Sequence, residues 1–177
     1  MKLATGIAVL TVALASAYSL PTVAQEAVAH SNASQPTARC QGALPVFETL
    51  IRKRPLAVQN EGSANTFVTC SFEFDAGNAI NNEALMVDAW FTNNNAEDVE
   101  LTCTAVSGWQ TGENEYVQMS TTLLANGAEQ GNLFWVGEDF AAGGLETGLV
   151  SISCALPAGV GVNDTYIWWE SESVTPV

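Results

Sequence analysis

Residues 66–75, TFVTCSFEFD, alternate without a break: Val68, Cys70, Phe72 and Phe74 fall on one phase, Thr69, Ser71 and Glu73 on the other. A period of two sends successive side chains to opposite faces of an extended chain, so this stretch predicts a strand with one buried and one wet face. The pattern recurs twice. Val99, Leu101, Cys103 and Ala105 alternate against Glu100, Thr102 and Thr104, and Val150, Ile152, Cys154 and Leu156 alternate against Ser151 and Ser153. Three cysteines thus share the apolar phase of three strands, where a bridge lies in the core of packed sheets.

Outward from these stretches, segments 56–60, 84–93, 115–123, 132–136 and 164–172 are rich in β-branched and aromatic residues and predict further strands. They are separated by clusters of Gly, Asn and Asp such as NEGSAN, TNNNAED and PAGVGVND, which is turn chemistry. No segment carries a helical period. The expectation is an all-β, antiparallel β-sandwich of about eight strands, jelly-roll-like by strand number. The Trp and paired-Cys spacing of immunoglobulin domains is absent.

The N-terminus reads as an export signal. Lys2 precedes an apolar run over residues 3–17, shorter than the roughly 20 residues a spanning helix needs. Ala15-Ser16-Ala17 and Thr22-Val23-Ala24 are small-residue cleavage frames, and cleavage after Ala24 leaves a polar end. Residues 1–24 are therefore assigned to the signal peptide, 25–39 to a flexible leader of small and polar residues, and 40–177 to one domain. The protein is expected to be exported, to a periplasm or the medium, without membrane insertion.

Cys40, Cys70, Cys103 and Cys154 are even in number and contain no Cys-x-x-Cys spacing, which favours two disulfides over a zinc site or a redox pair. Three connectivities exist. Cys40 with Cys70 and Cys103 with Cys154 is preferred because each pair is nearest in sequence.

The chain has a formal charge of −14, and no Lys or Arg follows Arg54. Nucleic acids and anionic lipids are bound by displacing counterions with basic residues, so these partners are excluded. The lone histidine, His30, lies in the expected leader, where a mobile ring cannot hold general-base geometry. No Gly-x-Ser-x-Gly elbow, P-loop or dinucleotide fingerprint occurs. Catalytic residues are accordingly assigned to none and no cofactor is required. Calcium is the one metal that suits acidic extracellular loops, with Asp75, Asn78 and Glu83, Glu97 and Asp98, and Glu138 and Asp139 as candidate ligands. The adjacent acids Glu97–Asp98 and Glu138–Asp139 also keep carboxylate-dependent glycoside hydrolysis formally open.

Five tryptophans are many for one domain. Trp109 stands in a polar loop, and Tyr166 and Trp168 share a phase with Glu170, opposite Ile167 and Trp169. If the acidic phase faces solvent, Tyr166 and Trp168 form an exposed pair of the kind that stacks on sugars. Trp109, Tyr166 and Trp168 are the ligand-binding candidates. Arg52-Lys53-Arg54 is an isolated basic patch, read as a charged strand edge or as a contact to the acidic body of a neighbour.

The turn NEGSANTFVTC, the strand VELTC and the closing SISCALPAGVGVNDTYIWWE resemble small exported bacterial proteins with a β-sandwich fold. The resemblance spans residues 40–172, implies a fold and a compartment, and brings no activity or functional residue with it. The leading expectation is a non-enzymatic exported binding or accessory module, carbohydrate-directed and calcium-assisted, with a glycan or an extracellular protein as partner. A surface-assembly protein and a small glycosidase are the alternatives.

Overall fold

The computed structural model describes residues 27–75, 79–80, 84–108, 114–141, 145 and 150–172. The chain forms β1 (Ala27–Ser34), a one-turn helix (Pro36–Arg39), β2 (Cys40–Gly42), a second one-turn helix (Pro45–Glu48), β3 (Ile51–Arg54), β4 (Ala57–Asn60), β5 (Thr66–Phe72), β6 (Met86–Asn93), β7 (Val99–Gly108), β8 (Asn114–Leu123), β9 (Gly131–Val136), β10 (Val150–Leu156) and β11 (Val160–Glu172). All strand pairs are antiparallel.

Two sheets pack face to face. Sheet A has the order β3-β4-β11-β6-β9, with β1 also paired to β11, and sheet B has the order β2-β5-β10-β7-β8. From β4 onward the chain visits the sheets in the order of a jelly roll, with four strands in each. The strands expected from alternation are the eight that build this roll. The added strands β1, β2 and β3 precede it in sequence and are too short or too polar to show an apolar phase. The core between the sheets includes Val58, Phe91, Trp135 and Ile167 from sheet A and Val68, Leu101, Ile152 and Leu156 from sheet B, all fully buried. The indole N–H of Trp135 is satisfied by the Val117 carbonyl at 3.0 Å.

Both disulfides follow the preferred pairing, Cys40–Cys70 and Cys103–Cys154. Each joins residues directly opposite one another on neighbouring strands of sheet B, so the bridges tie strands within one sheet and leave inter-sheet cohesion to packing. By chain entropy, closing loops of this length stabilises by about 4 kcal/mol each.

Two of the crossings from sheet A to sheet B share one device. β4 ends at Asn60 and β6 at Asn93, both completely buried. The Asn60 amide donates to the carbonyls of Ala64 at 2.8 Å and Leu156 at 2.9 Å, and its Oδ1 accepts from the Gly62 N–H. Asn93 donates to Glu97 at 2.8 Å and Leu123 at 3.2 Å, and accepts from the Asn95 N–H. In both cases one amide closes its own turn and pins it to a strand of the opposite sheet. Cys70 follows Asn60 at the spacing at which Cys103 follows Asn93, each within a Thr-Cys pair. This internal repeat was available in the sequence, hidden among many loop asparagines.

The expected flexible leader is corrected over its described residues. Ala27–Ser34 pairs with β11 from Glu172 to Thr165 along its whole length. His30, Asn32 and Ser34 face inward and are partly buried, but their phase is polar, so no apolar alternation announced a strand. Hydrogen bonds hold it instead. Asn32 donates to the Glu73 carbonyl at 3.1 Å, Thr165 Oγ1 to the Ser34 carbonyl at 3.1 Å, and Arg39 Nε to Ser34 Oγ at 3.2 Å. His30 is fixed too: it stacks on Trp169 and lies 2.7 Å from Ser171 Oγ. The basic patch is not isolated either. β3 is the edge of sheet A, and Glu61 pairs with Arg52 and Arg54 while Glu48 pairs with Lys53. Such exposed pairs contribute little stability, but they offset two of the patch's three charges.

Replacing Asn93 with Ala strips the buried Leu123 carbonyl and the part-buried Glu97 carbonyl of their donor and leaves the Asn95 N–H without its acceptor, and about 3 kcal/mol of destabilisation is expected. Thermal unfolding should show the midpoint falling by about 8 °C. An unchanged midpoint would mean that the crossing holds without its amide.

Candidate functional site

The outer faces of the two sheets differ in chemistry. On sheet B, register aligns Thr69, Ser153, Thr104 and Gln118 in one row and Ser71, Ser151, Val106 and Tyr116 in the next. This face consists largely of hydroxyls, with Tyr116 and Phe67 exposed on it.

On sheet A the corresponding rows are aromatic. One row reads Ser31, Trp168, Met86, Val136, and the next Ala33, Tyr166, Asp88, Phe134. Beyond these, Trp90 lies between Asp164 and Asn132. Residues directly opposite one another in neighbouring strands have Cβ atoms about 5 Å apart, so these side chains form one contiguous surface. Phe134 is 50% exposed and Trp168 39%, whereas Met86, Trp90 and Tyr166 are half-buried. β1 contributes only the small residues Ala27, Ala29, Ser31 and Ala33 to this face, so the flank of Trp168 and Tyr166 is left low and open.

The phase of Tyr166 and Trp168 depends on an irregularity in β11. Register against β6 shifts between Val162 and Asp164, which leaves Asn163 as the extra residue. Its amide is tied to Thr92 Oγ1. Val162 thereby stays in the core with Phe91, while Asp164, Tyr166 and Trp168 turn outward. A bulge that re-aims side chains in this way is a recurrent feature beside binding sites.

Asp88 sits at the centre, between Tyr166 on β11 and Phe134 on β9. Although it is on an outer face, it is only 8% exposed. Oδ2 accepts the Trp90 indole N–H at 2.7 Å, and Oδ1 is buried with no hydrogen-bond partner. Burial pushes the carboxyl above its ordinary value, against opposing contributions from Trp90, Asn132 and the Ala89 N–H that favour the anion. The geometry leaves a desolvated acceptor, walled by rings, with one oxygen unused. Asp88 shares the outward phase of β6 with Met86 and Trp90, and its burial comes from residues far away in sequence.

The other sequence candidates behave differently. Trp109, Asn78 and Glu83 lie outside the described residues. Asp98 accepts the Ala125 N–H and Asp139 the Val136 N–H, both at 2.8 Å, so each adjacent acid pair uses one member to fasten a turn. Asp75, Glu97 and Glu138 are exposed. Among the described residues no three His, Cys, Asp or Glu side chains gather to hold a metal ion. His30 and Ser171 make a base–hydroxyl contact, but Ser171 lies in regular strand, bridged to Val28 and Ala79, rather than on an exposed turn. We read this pair as a clamp on β1. A cleft of about 440 Å³ beside β3, lined by Thr49, Leu50, Ile51, Arg52, Glu61 and Gly62, is the site of the Glu61 ion pairs and lies apart from the aromatic face.

No protein-family model and no curated protein sequence matches the chain, so the resemblance to small exported sandwiches rests on its motifs alone. Among solved structures, the chain is similar to the exo-beta-1,3-galactanase Pc1,3Gal43A from Phanerochaete chrysosporium, with galactose, at 12% identity and a TM-score of 0.44; the match covers 78% of this chain and 29% of that one. It is also similar to TmCBM61 in complex with beta-1,4-galactotriose, at 11% identity and a TM-score of 0.36 over 81% of this chain and 88% of that one. A CBM4 structure matches at 8% identity and a TM-score of 0.32 over 81% and 86%. The chain spans less than a third of the galactanase. Likenesses this distant are not used to assign a ligand, and the site is argued from its own residues.

Because the folded state holds Asp88 above its ordinary value of 3.8, it binds the proton more tightly than the unfolded chain does. The stability from this group is present below the ordinary value and is lost as pH rises through the raised one. Asp88→Asn removes that dependence. The melting difference, D88N minus wild type, should therefore become more positive from about pH 3 to about pH 7. The opposite trend would show that the carboxylate is better satisfied than its surroundings indicate.

Proposed function

We propose that the protein is a non-enzymatic carbohydrate-binding or accessory module that makes contact through the outer face of sheet A. One observation carries this reading: Trp168, Tyr166, Phe134, Met86 and Trp90 form one continuous surface around Asp88 and Asn132, while the matching face of sheet B is mostly hydroxyls, with the exposed rings of Phe67 and Tyr116 separated by them. Flat rings stack on the apolar faces of sugar rings, and carboxylates and amides between them take up hydroxyls. The two disulfides support an oxidising, exported setting.

A surface-assembly role is less well supported, because the basic strand it relied on is already paired with Glu48 and Glu61. The glycosidase alternative loses its original residues, since Asp98 and Asp139 serve as turn fasteners. Calcium enters this proposal only as a condition to vary.

Trp168→Ala should weaken binding to a soluble polysaccharide at least about tenfold, roughly 1.4 kcal/mol, in affinity electrophoresis or calorimetry. Its melting temperature should hardly change, because the ring is already well exposed. Tyr116→Ala, on the other sheet, should bind as wild type does. Equal binding by W168A and wild type would remove this face from the reading. Asp88-dependent release of reducing sugar would overturn its non-enzymatic part.

A further inference from the structure

We propose that the aromatic face of sheet A takes an inner stretch of an extended, uncharged polysaccharide, of the kind joined through equatorial β-1,4 bonds, laid across the strands so that Phe134 and Trp168 hold alternate sugar units. This rests on the carbohydrate-binding reading and sharpens it to one ligand class and one path.

The spacing of the two most exposed rings on this face sets the first condition. Trp168 on β11 and Phe134 on β9 flank β6, and the shared register puts them one row apart, Trp168 opposite Met86 and Phe134 opposite Asp88. Two strand spacings across and two residues along separate their points of attachment by about 12 Å. One pyranose advances an extended chain by less than half of that, so adjacent units do not reach both rings and alternate units do. Between the rings the floor is low, because Met86 is half-buried and Asp88 almost closed to solvent. The intervening unit passes over them, and no contact from the Asp88 carboxylate is needed. A chain that coils, as an α-1,4-glucan does, bends away from the face and loses one of the two rings.

The acids fix the direction. On β11 the pair Tyr166 and Trp168 is preceded on the same phase by Asp164 and followed by Glu170, so a path along that strand runs onto a carboxylate at either end. A path across the strands has low exits. Beyond Trp168 it crosses β1, where Ser31 and Ala29 set no large side chain in its way, and beyond Phe134 it leaves over β9, the edge strand of the sheet. A surface open at both ends accepts inner units of a polymer instead of enclosing a terminus. Asp164 and Glu170 then lie beside the path, where they accept hydroxyls but repel uronate and sulfated chains, and no Lys or Arg after Arg54 offsets them.

Calorimetry with cello-oligosaccharides and manno-oligosaccharides of two to six units tests this, with maltohexaose as the coiled control. In at least one of the two series, wild-type affinity should rise at least about tenfold from two units to four, as the second ring is engaged within the same molecule, and level off beyond. Maltohexaose should bind no better than the disaccharide. Phe134→Ala and Trp168→Ala should each abolish the rise, and both should melt as wild type does, since the rings they remove are exposed. In affinity electrophoresis glucomannan should retard wild type, and its carboxymethylated form should not. Affinity that does not change with length, a rise that survives in either variant, a preference for maltohexaose, or equal retardation by the carboxymethylated polymer would each overturn the proposal. Binding to some other soluble polysaccharide in those cases would leave the carbohydrate reading standing, whereas binding to none would remove both. The wild-type length series needs no variant, so poor folding of F134A or W168A would not blunt it.

Discussion

A chain that alternates between two sheets must repeatedly carry its backbone across the end of a hydrophobic core, where an unpaired N–H or carbonyl costs about 1–3 kcal/mol. Asn60 and Asn93 resolve this at two of the crossings. Each is fully buried, and each uses a single side-chain amide to close the turn it begins and to hold a strand of the opposite sheet. The strands that follow, β5 and β7, carry Cys70 and Cys103 into sheet B, where both disulfides form. The covalent ties are therefore concentrated in one sheet, and sheet A is positioned by these crossings and by packing.

Within sheet A the organising element is β11. It pairs with β1, β4 and β6, and its irregularity at Asn163 changes which side chains face outward. Val160 and Val162 remain in the core, and beyond Asn163 the same strand turns Tyr166 and Trp168 outward. The aromatic face thus depends on a local register shift held by one amide, together with a flanking strand whose outward residues are too small to cover the rings.

Electrostatics gives this face its character. In a chain of charge −14, acids on turns and edges stay solvated or fasten backbone groups, as Asp98 and Asp139 do. Asp88 is different: a carboxylate on the wet side of a sheet, enclosed by neighbours on β9 and β11 and left one hydrogen bond short. An unmet buried acceptor of this kind weakens folding.

The sequence by itself indicated the eight strands of the roll, preferred the pairing Cys40–Cys70 and Cys103–Cys154 among three, and turned Tyr166 and Trp168 outward on the condition that the acidic phase faces solvent. These follow from period-two alternation and nearest-neighbour cysteines, which are local properties of the chain. It did not disclose β1, because the inner phase of that strand is His30, Asn32 and Ser34, and polar residues show no hydrophobic period. It did not disclose that Glu48 and Glu61 pair with the basic strand, nor that Asp88 is buried. Only the tertiary structure decided those points, because each depends on strand pairing or on side chains brought together by folding: β11 against β1, Glu48 and Glu61 against β3, and β9 and β11 flanking Asp88.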